Sequence, residues 1–198
     1  LILYRSFVSF FNFNDNINFS VKLFLNRIAI RYNSNMTTHL FVRSCYTLLD
    51  STIRIPELVS TAKKYGYQSV ALTDHHVMHG VARFLHECKK EGIHPIVGLE
   101  VDVFYHEQKV PFLLLAKNNR GYANLMKLSS LLCDGREYAT LEEFLTYSEH
   151  NFLIVYGEGG YFDAELISED RTGITQKLAL MKSELPTFDI AISYEETS

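Results

Sequence analysis

The segment SVALTDHHVMHG, Ser69 to Gly80, holds the strongest structural signal in this chain, and HPIVGLEVDVF, His94 to Phe104, completes it. In the first, an apolar β-prone run, Val70-Ala71-Leu72, stops abruptly at Thr73-Asp74-His75-His76. In the second, Ile96-Val97-Gly98-Leu99 runs into Glu100. Carboxylates and imidazoles at strand ends are where α/β folds place their chemistry, and both are ligand types for divalent metals. A Glu inside Val-Gly-Leu-Glu-Val-Asp-Val is costly to bury without a partner, and Arg43 is a candidate for that partner. Strand alternation puts Glu100 and Asp102 on one face and Leu99, Val101 and Val103 on the other.

Outward from this pair, strands and helices alternate. Strands are expected at His39–Val42, Gln68–Leu72, Ile96–Phe104, Val110–Ala116, Phe152–Tyr156 and Phe188–Ser193. A turn through His106 to Lys109 joins the third and fourth. Helices are expected at Pro56–Tyr65, where Pro starts the helix and Gly66 ends it, and at Val81–Glu91, closed by Gly92. Gly121–Leu132 and Ile174–Leu185 are helical by period. Thr140-Leu-Glu-Glu143 is a capping box that opens a short helix to Tyr147. This alternation implies a largely parallel sheet or a β/α barrel.

A chain of 198 residues can bury one good core. Net charge is −4, with 23 acidic and 19 basic residues, so no basic excess announces a nucleic-acid surface. Cys45, Cys88 and Cys133 are odd in number and form no C-x-x-C, which fits free thiols in a reducing compartment such as the cytoplasm. No apolar run reaches the ~18 residues of a membrane helix. The stretch 1–35 is crowded with Phe, Asn and Ile and precedes the first Met, Met36. It is read as a non-native or disordered extension, with residues 36–198 as the folded domain. The end at Ser198 follows a strand directly, and a truncation within a larger protein is expected there.

From His39 to about Leu132 the chain resembles the amino-terminal PHP (polymerase and histidinol phosphatase) domain of bacterial DNA polymerase III alpha subunits. The resemblance rests on HLFVRSCYTLLDS (His39–Ser51), SVALTDHHVMHGVARFLHECKKEGIHPIVGLEVDV (Ser69–Val103) and LLLAKNNRGYANLMKLSSLL (Leu113–Leu132). Val77-Met78 and the degenerate metal motifs are more similar to the short alpha-subunit type of low-GC Gram-positive bacteria.

The resemblance implies a distorted β/α barrel, TIM-like and seven-stranded in the family, here truncated before closure. In active members, strand ends hold a cluster of divalent metals that hydrolyses phosphoesters, in some polymerases as a proofreading 3′–5′ exonuclease. Carried over position by position, most of the ligand set is missing. The first His-x-His motif falls at Phe41 and Arg43, and the acid that follows it is Asp50. His75, preceded by Asp74, stands at the second motif's histidine, and Glu100 at the family's glutamate. Pro111 occupies the next histidine position, Gly157–Gly160 stands where a Cys or His is expected, and the closing Asp-x-His has no counterpart.

Asp50, His75 and Glu100 are therefore candidates for a vestigial metal site, with His39, Asp74 and His76 as accessories. Arg43 would act as the metal substitute, pairing with Glu100 or Asp50. No catalytic residue is assigned. The expected role is a structural and interaction module of a replicative polymerase. A metal-dependent phosphoesterase or exonuclease is the alternative. The only cofactor expected in the fragment is a single weak manganese or zinc ion, and magnesium would serve the parent polymerase. Partners would be the remainder of that chain, DNA through it and replisome proteins, with no membrane.

Overall fold

The computed structural model describes residues 38–156, 160–186 and 188–191. The stretch 1–35 therefore lies outside the described residues, as do 157–159 and the last residues of the final expected strand. Thirteen elements follow in order: β1 (Thr38–His39), α1 (Ile55–Lys64), β2 (Ser69–Leu72), α2 (Val81–Glu91), β3 (His94–Tyr105), β4 (Gln108–Ala116), α3 (Asn119–Leu132), β5 (Ala139–Thr140), α4 (Leu141–Ser148), β6 (Asn151–Tyr156), α5 (Asp163–Ile167), α6 (Arg171–Glu184) and β7 (Phe188–Ala191).

The sheet runs β1-β2-β3-β4-β6-β7, with β5 paired to β3, and curls into a half-barrel. It is mixed rather than largely parallel. The β1-β2, β2-β3, β3-β5 and β6-β7 pairs are parallel, but β3-β4 and β4-β6 are antiparallel. The cause is the short β3–β4 connection, since only a crossover of a dozen or more residues can return a parallel strand. His106 and Glu107 make that turn with φ of 44° and 64°. Both values match the primed hairpin turns that follow strand twist, without the usual Asn or Gly.

Local signals account for most boundaries. Gly92 closes α2 at φ 70°. Asn118 caps α3 by accepting from the N–H groups of Arg120 and Gly121, and Thr140 and Glu143 form the reciprocal capping box of α4. Asp170 caps α6, which starts earlier than the apolar period of Ile174 suggests. The strand expected to reach Val42 ends at His39, but Val42 still exchanges hydrogen bonds with Thr73 through its N–H and C=O. β5 and α5 carry no period long enough to be read in advance.

The main core lies on the outer face of the sheet, where Leu99, Val101, Val103, Phe112 and Leu114 pack against Leu125, Leu128, Phe144 and Met181 of the helices. The apolar Leu85 and Met126 lie at the margin of these helices' packed faces and are 38% and 41% exposed. A second core joins α1 and α2 to β2 through Val59, Phe84 and Cys88. Cys133, by contrast, is exposed. On the inner, concave face a small apolar floor forms from Leu113, Leu115 and Ile154, with Leu40, Ile96 and Tyr156 packed against it. Cross-strand partners share a face, so the Glu100–Leu113 and Asp102–Pro111 pairs place both carboxylates on this inner side.

Candidate functional site

A cavity of about 490 Å³ opens on the inner face, lined by Phe41, Arg43, His75, Glu100, Asp102, Lys109, Pro111 and Tyr156. β3, β4 and β6 supply Glu100, Asp102, Lys109, Pro111 and Tyr156, and the segments after β1 and β2 supply Phe41, Arg43 and His75. Beyond Leu72, chain direction is kept by a bridge in which His76 N–H donates to Glu100 C=O at 2.8 Å and Glu100 N–H to Asp74 C=O at 3.2 Å. This fixes the His75-His76 pair beside the Glu100–Asp102 edge.

Arg43 dominates one half. Its Nε donates to Glu100 Oε2 at 2.6 Å and its Nη2 to Oε1 at 2.7 Å, a bidentate fork. Nη1 bonds Asp50, so one guanidinium bridges both carboxylates. Burial works against the Arg43 charge, but Glu100 and then Asp50 outweigh it and hold the guanidinium more firmly protonated than usual. Its Cζ lies 5.1 Å from the Phe41 ring centre, a cation–π contact, and Phe41 packs edge-on against Tyr156 at 5.3 Å. The Tyr156 hydroxyl is buried beside Glu100. Burial and then the Glu100 charge push its pKa well above the ordinary range.

The other half centres on Asp102. His75 Nε2 lies 3.1 Å from Asp102 Oδ2, and Lys109 Nζ lies 3.4 Å from the same oxygen. Burial opposes the Asp102 charge, but the hydrogen bond from His75 and the charges of His75, His76 and Lys109 hold its pKa below the ordinary value. His76 Nε2 accepts the N–H of Asp102 at 3.0 Å, which makes Nδ1 the protonated nitrogen of a neutral ring. The two imidazoles stack with centres 3.8 Å apart. Burial first, then the neighbouring His75, push the His76 pKa down to about 4, so the stack does not place two charges face to face. His76 adopts φ 61°, and its C=O accepts from Ser129 Oγ of α3 at 2.8 Å.

The residues singled out in the sequence are thus distributed unevenly. Asp50 and Glu100 meet at Arg43, while His75 turns to Asp102. Asp74 is 2% exposed, and protein donors engage its carboxylate. It accepts from Ser44 N–H at 2.5 Å, Ser44 Oγ at 2.8 Å and Thr47 Oγ1 at 2.9 Å, anchoring the loop that carries Arg43. His39 lies outside the cavity lining, with Nε2 2.8 Å from the Tyr67 hydroxyl. Asp102, Lys109 and Tyr156 are the residues that sequence reasoning missed. Alternation pointed to Asp102, but nothing local foretells that Lys109 reaches diagonally across the hairpin.

The family-implied metal cluster can be tested against these groups. Among the described residues, ligand atoms of His75, His76 and Asp102 lie within 4.8 Å of one another. The His76 Nε2 lone pair is already taken by a backbone N–H, and Asp102 Oδ2 by His75 and Lys109. Glu100 and Asp50 are taken by Arg43, and Phe41 and Pro111 offer no ligand atom. The donor set does not fit a multi-metal cluster.

A PHP-domain family model matches residues 39–191. The chain belongs to the PHP family. It is 44% identical over 132 residues to the DNA polymerase III subunit alpha of Bacillus subtilis (strain 168), covering 65% of this chain and 12% of that protein. Against the same subunit of Halalkalibacterium halodurans it is 40% identical over 137 residues, covering 67% and 12%. The chain thus spans about an eighth of these curated relatives, and the Bacillus subtilis match falls in the amino-terminal region. Low-GC Gram-positive proteins dominate the matches, in line with the resemblance read from the motifs. Among solved structures, an amidohydrolase from Chromobacterium violaceum aligns with a TM-score of 0.52 at 15% identity, covering 76% of this chain and 74% of that one. That likeness speaks to the fold alone. No helix among the described residues is long and apolar enough to cross a membrane.

Proposed function

We propose that this PHP domain is a non-catalytic structural and interaction module of a replicative DNA polymerase, and that Arg43 takes the place of its metals. The carrying observation is the fork from Arg43 to Glu100 with a further bond to Asp50. A guanidinium between carboxylates balances the charge that metal ions would otherwise balance, and it leaves no open coordination position for a hydroxide nucleophile. Template-directed DNA synthesis with magnesium would belong to the longer chain. DNA and replisome proteins would be reached through that chain, in the cytoplasm.

The His75–His76–Asp102 cluster favours a second reading, a metal-dependent phosphoesterase or 3′–5′ exonuclease. Its engaged lone pairs limit it to one weakly held manganese or zinc ion. Metal analysis after gel filtration separates the two readings. The proposal expects at most one ion per chain and none after brief chelation. Two or three retained ions would overturn it, as would manganese-dependent cleavage of a labelled single strand that a His75→Ala, Glu100→Ala double variant lacks.

A further inference from the structure

The loop between Arg43 and Ser51 is braced at its base and bare at its tip. Buried Asp74 holds Ser44 and Thr47, the Ser51 hydroxyl donates to Arg43 C=O at 2.7 Å, and Asp50 bonds the Arg43 guanidinium. At the tip, Leu48 is 81% exposed and Leu49 fully exposed. Leu49 also sits at φ 66°, a left-handed conformation that a Leu adopts at a cost. Two adjacent leucines held outward on a braced frame lose little freedom on docking, which favours binding.

The occupant follows from area and chain length. Two leucine side chains offer on the order of 200 Å² of apolar surface. A stable complex between separate molecules needs about 800 Å² per partner, far more than this tip supplies. A contact within one chain does not meet that requirement, because its effective concentration is high. In the curated relatives the matched stretch is 12% of the protein, so most of the chain lies elsewhere. We infer that Leu48 and Leu49 are a preformed apolar prong that inserts into an apolar cleft elsewhere in the same polymerase chain. The inference rests on the polymerase reading above.

The test replaces the matching stretch of Bacillus subtilis DNA polymerase III subunit alpha with residues 38–191 of this chain. Hydrogen exchange of residues 43–51 is then compared between that chimera and the 198-residue chain. The expected result is exchange at least about tenfold slower in the chimera, lost on Leu48→Ser, Leu49→Ser, while the same pair of changes leaves the isolated chain's melting temperature in place. Equal exchange in both proteins overturns the inference, and so does protection of the isolated chain that grows with its concentration, which would mean a second copy. DNA synthesis by the chimera is read separately. Synthesis without loop protection defeats the prong and leaves the polymerase reading standing, whereas neither signal defeats the polymerase reading and the prong with it.

Discussion

The two halves of the cavity neutralise their carboxylates by different means. In the Arg43 half, one permanent cation is forked onto Glu100, whose side chain is only 3% accessible. In the Asp102 half, charge is shared between a histidine at 3.1 Å and a half-exposed lysine at 3.4 Å, and a second histidine is kept neutral. The first half is fixed at any ordinary pH, because an arginine does not titrate. The second is adjustable. The cavity is thus closed firmly on one side and loosely on the other, and the contrast ranks the effects of substitution.

The largest effect belongs to Arg43. Arg43→Ala leaves Glu100 buried without its partner, and breaking a buried pair from one side costs about 3–5 kcal/mol. The Arg43 side chain keeps 30% accessibility, so the lower end applies. The melting temperature should fall by roughly 6–12 °C for a domain of this size. Removing both charges with Arg43→Met, Glu100→Leu should recover most of that loss, because no orphan charge remains. Thermal unfolding of the three proteins checks this, and an Arg43→Ala variant as stable as its parent would show that the fork carries no stability.

The adjustable half should answer to acid. The folded His76 pKa of about 4 lies below its ordinary 6.5. Between those values the unfolded chain binds more protons, so stability falls as pH drops from 6.5 and levels off near 4. The loss between pH 7 and pH 5 is about 2 kcal/mol. The lowered Asp102 pKa acts later, because its contribution is present above the ordinary 3.8 and disappears only as pH falls through the folded value. Urea unfolding across this range should show the slope in the parent and a flatter one in His76→Gln. Parallel curves would place the acid response elsewhere.

How much of this could be read from sequence follows the range of each interaction. Helix α2 was legible to the residue, because its apolar period and Gly92 are local signals. The faces of β3 were legible by alternation, and they placed Glu100 opposite Leu99 and Val101. The Arg43 pairing with Glu100 or Asp50 was foreseeable because a buried Glu needs a counter-charge and a resemblance put Arg43 at a ligand position. The antiparallel β3–β4 hairpin was harder to read as a break in a parallel sheet, since His106-Glu107 is not a usual primed-turn pair. The neutral state of His76 was invisible, as it depends on burial within the fold and on the stacked His75 ring, neither of which a sequence pattern displays. Asp74 looked like a ligand because Thr-Asp-His-His reads as one motif, whereas its carboxylate is spent on Ser44 and Thr47.

Lys109 should give the smallest effect and the sharpest discrimination between the halves. Its ammonium is half exposed at 3.4 Å from Asp102, and an exposed pair of this kind contributes about 0.2–1 kcal/mol. Lys109→Met should therefore leave stability at pH 7 nearly unchanged. Its charge also disfavours protonation of His76, so removing it raises the folded His76 pKa toward 6.5. The gap between folded and unfolded values narrows, and the acid slope between pH 6.5 and pH 4 becomes shallower. The shift amounts to tenths of a kcal/mol, because Lys109 is the weakest of the causes acting on His76. NMR titration of the His76 ring in parent and Lys109→Met resolves a change of that size. An unmoved His76 midpoint would mean that the lysine charge is fully screened by solvent and that burial and the neighbouring imidazole alone keep His76 neutral.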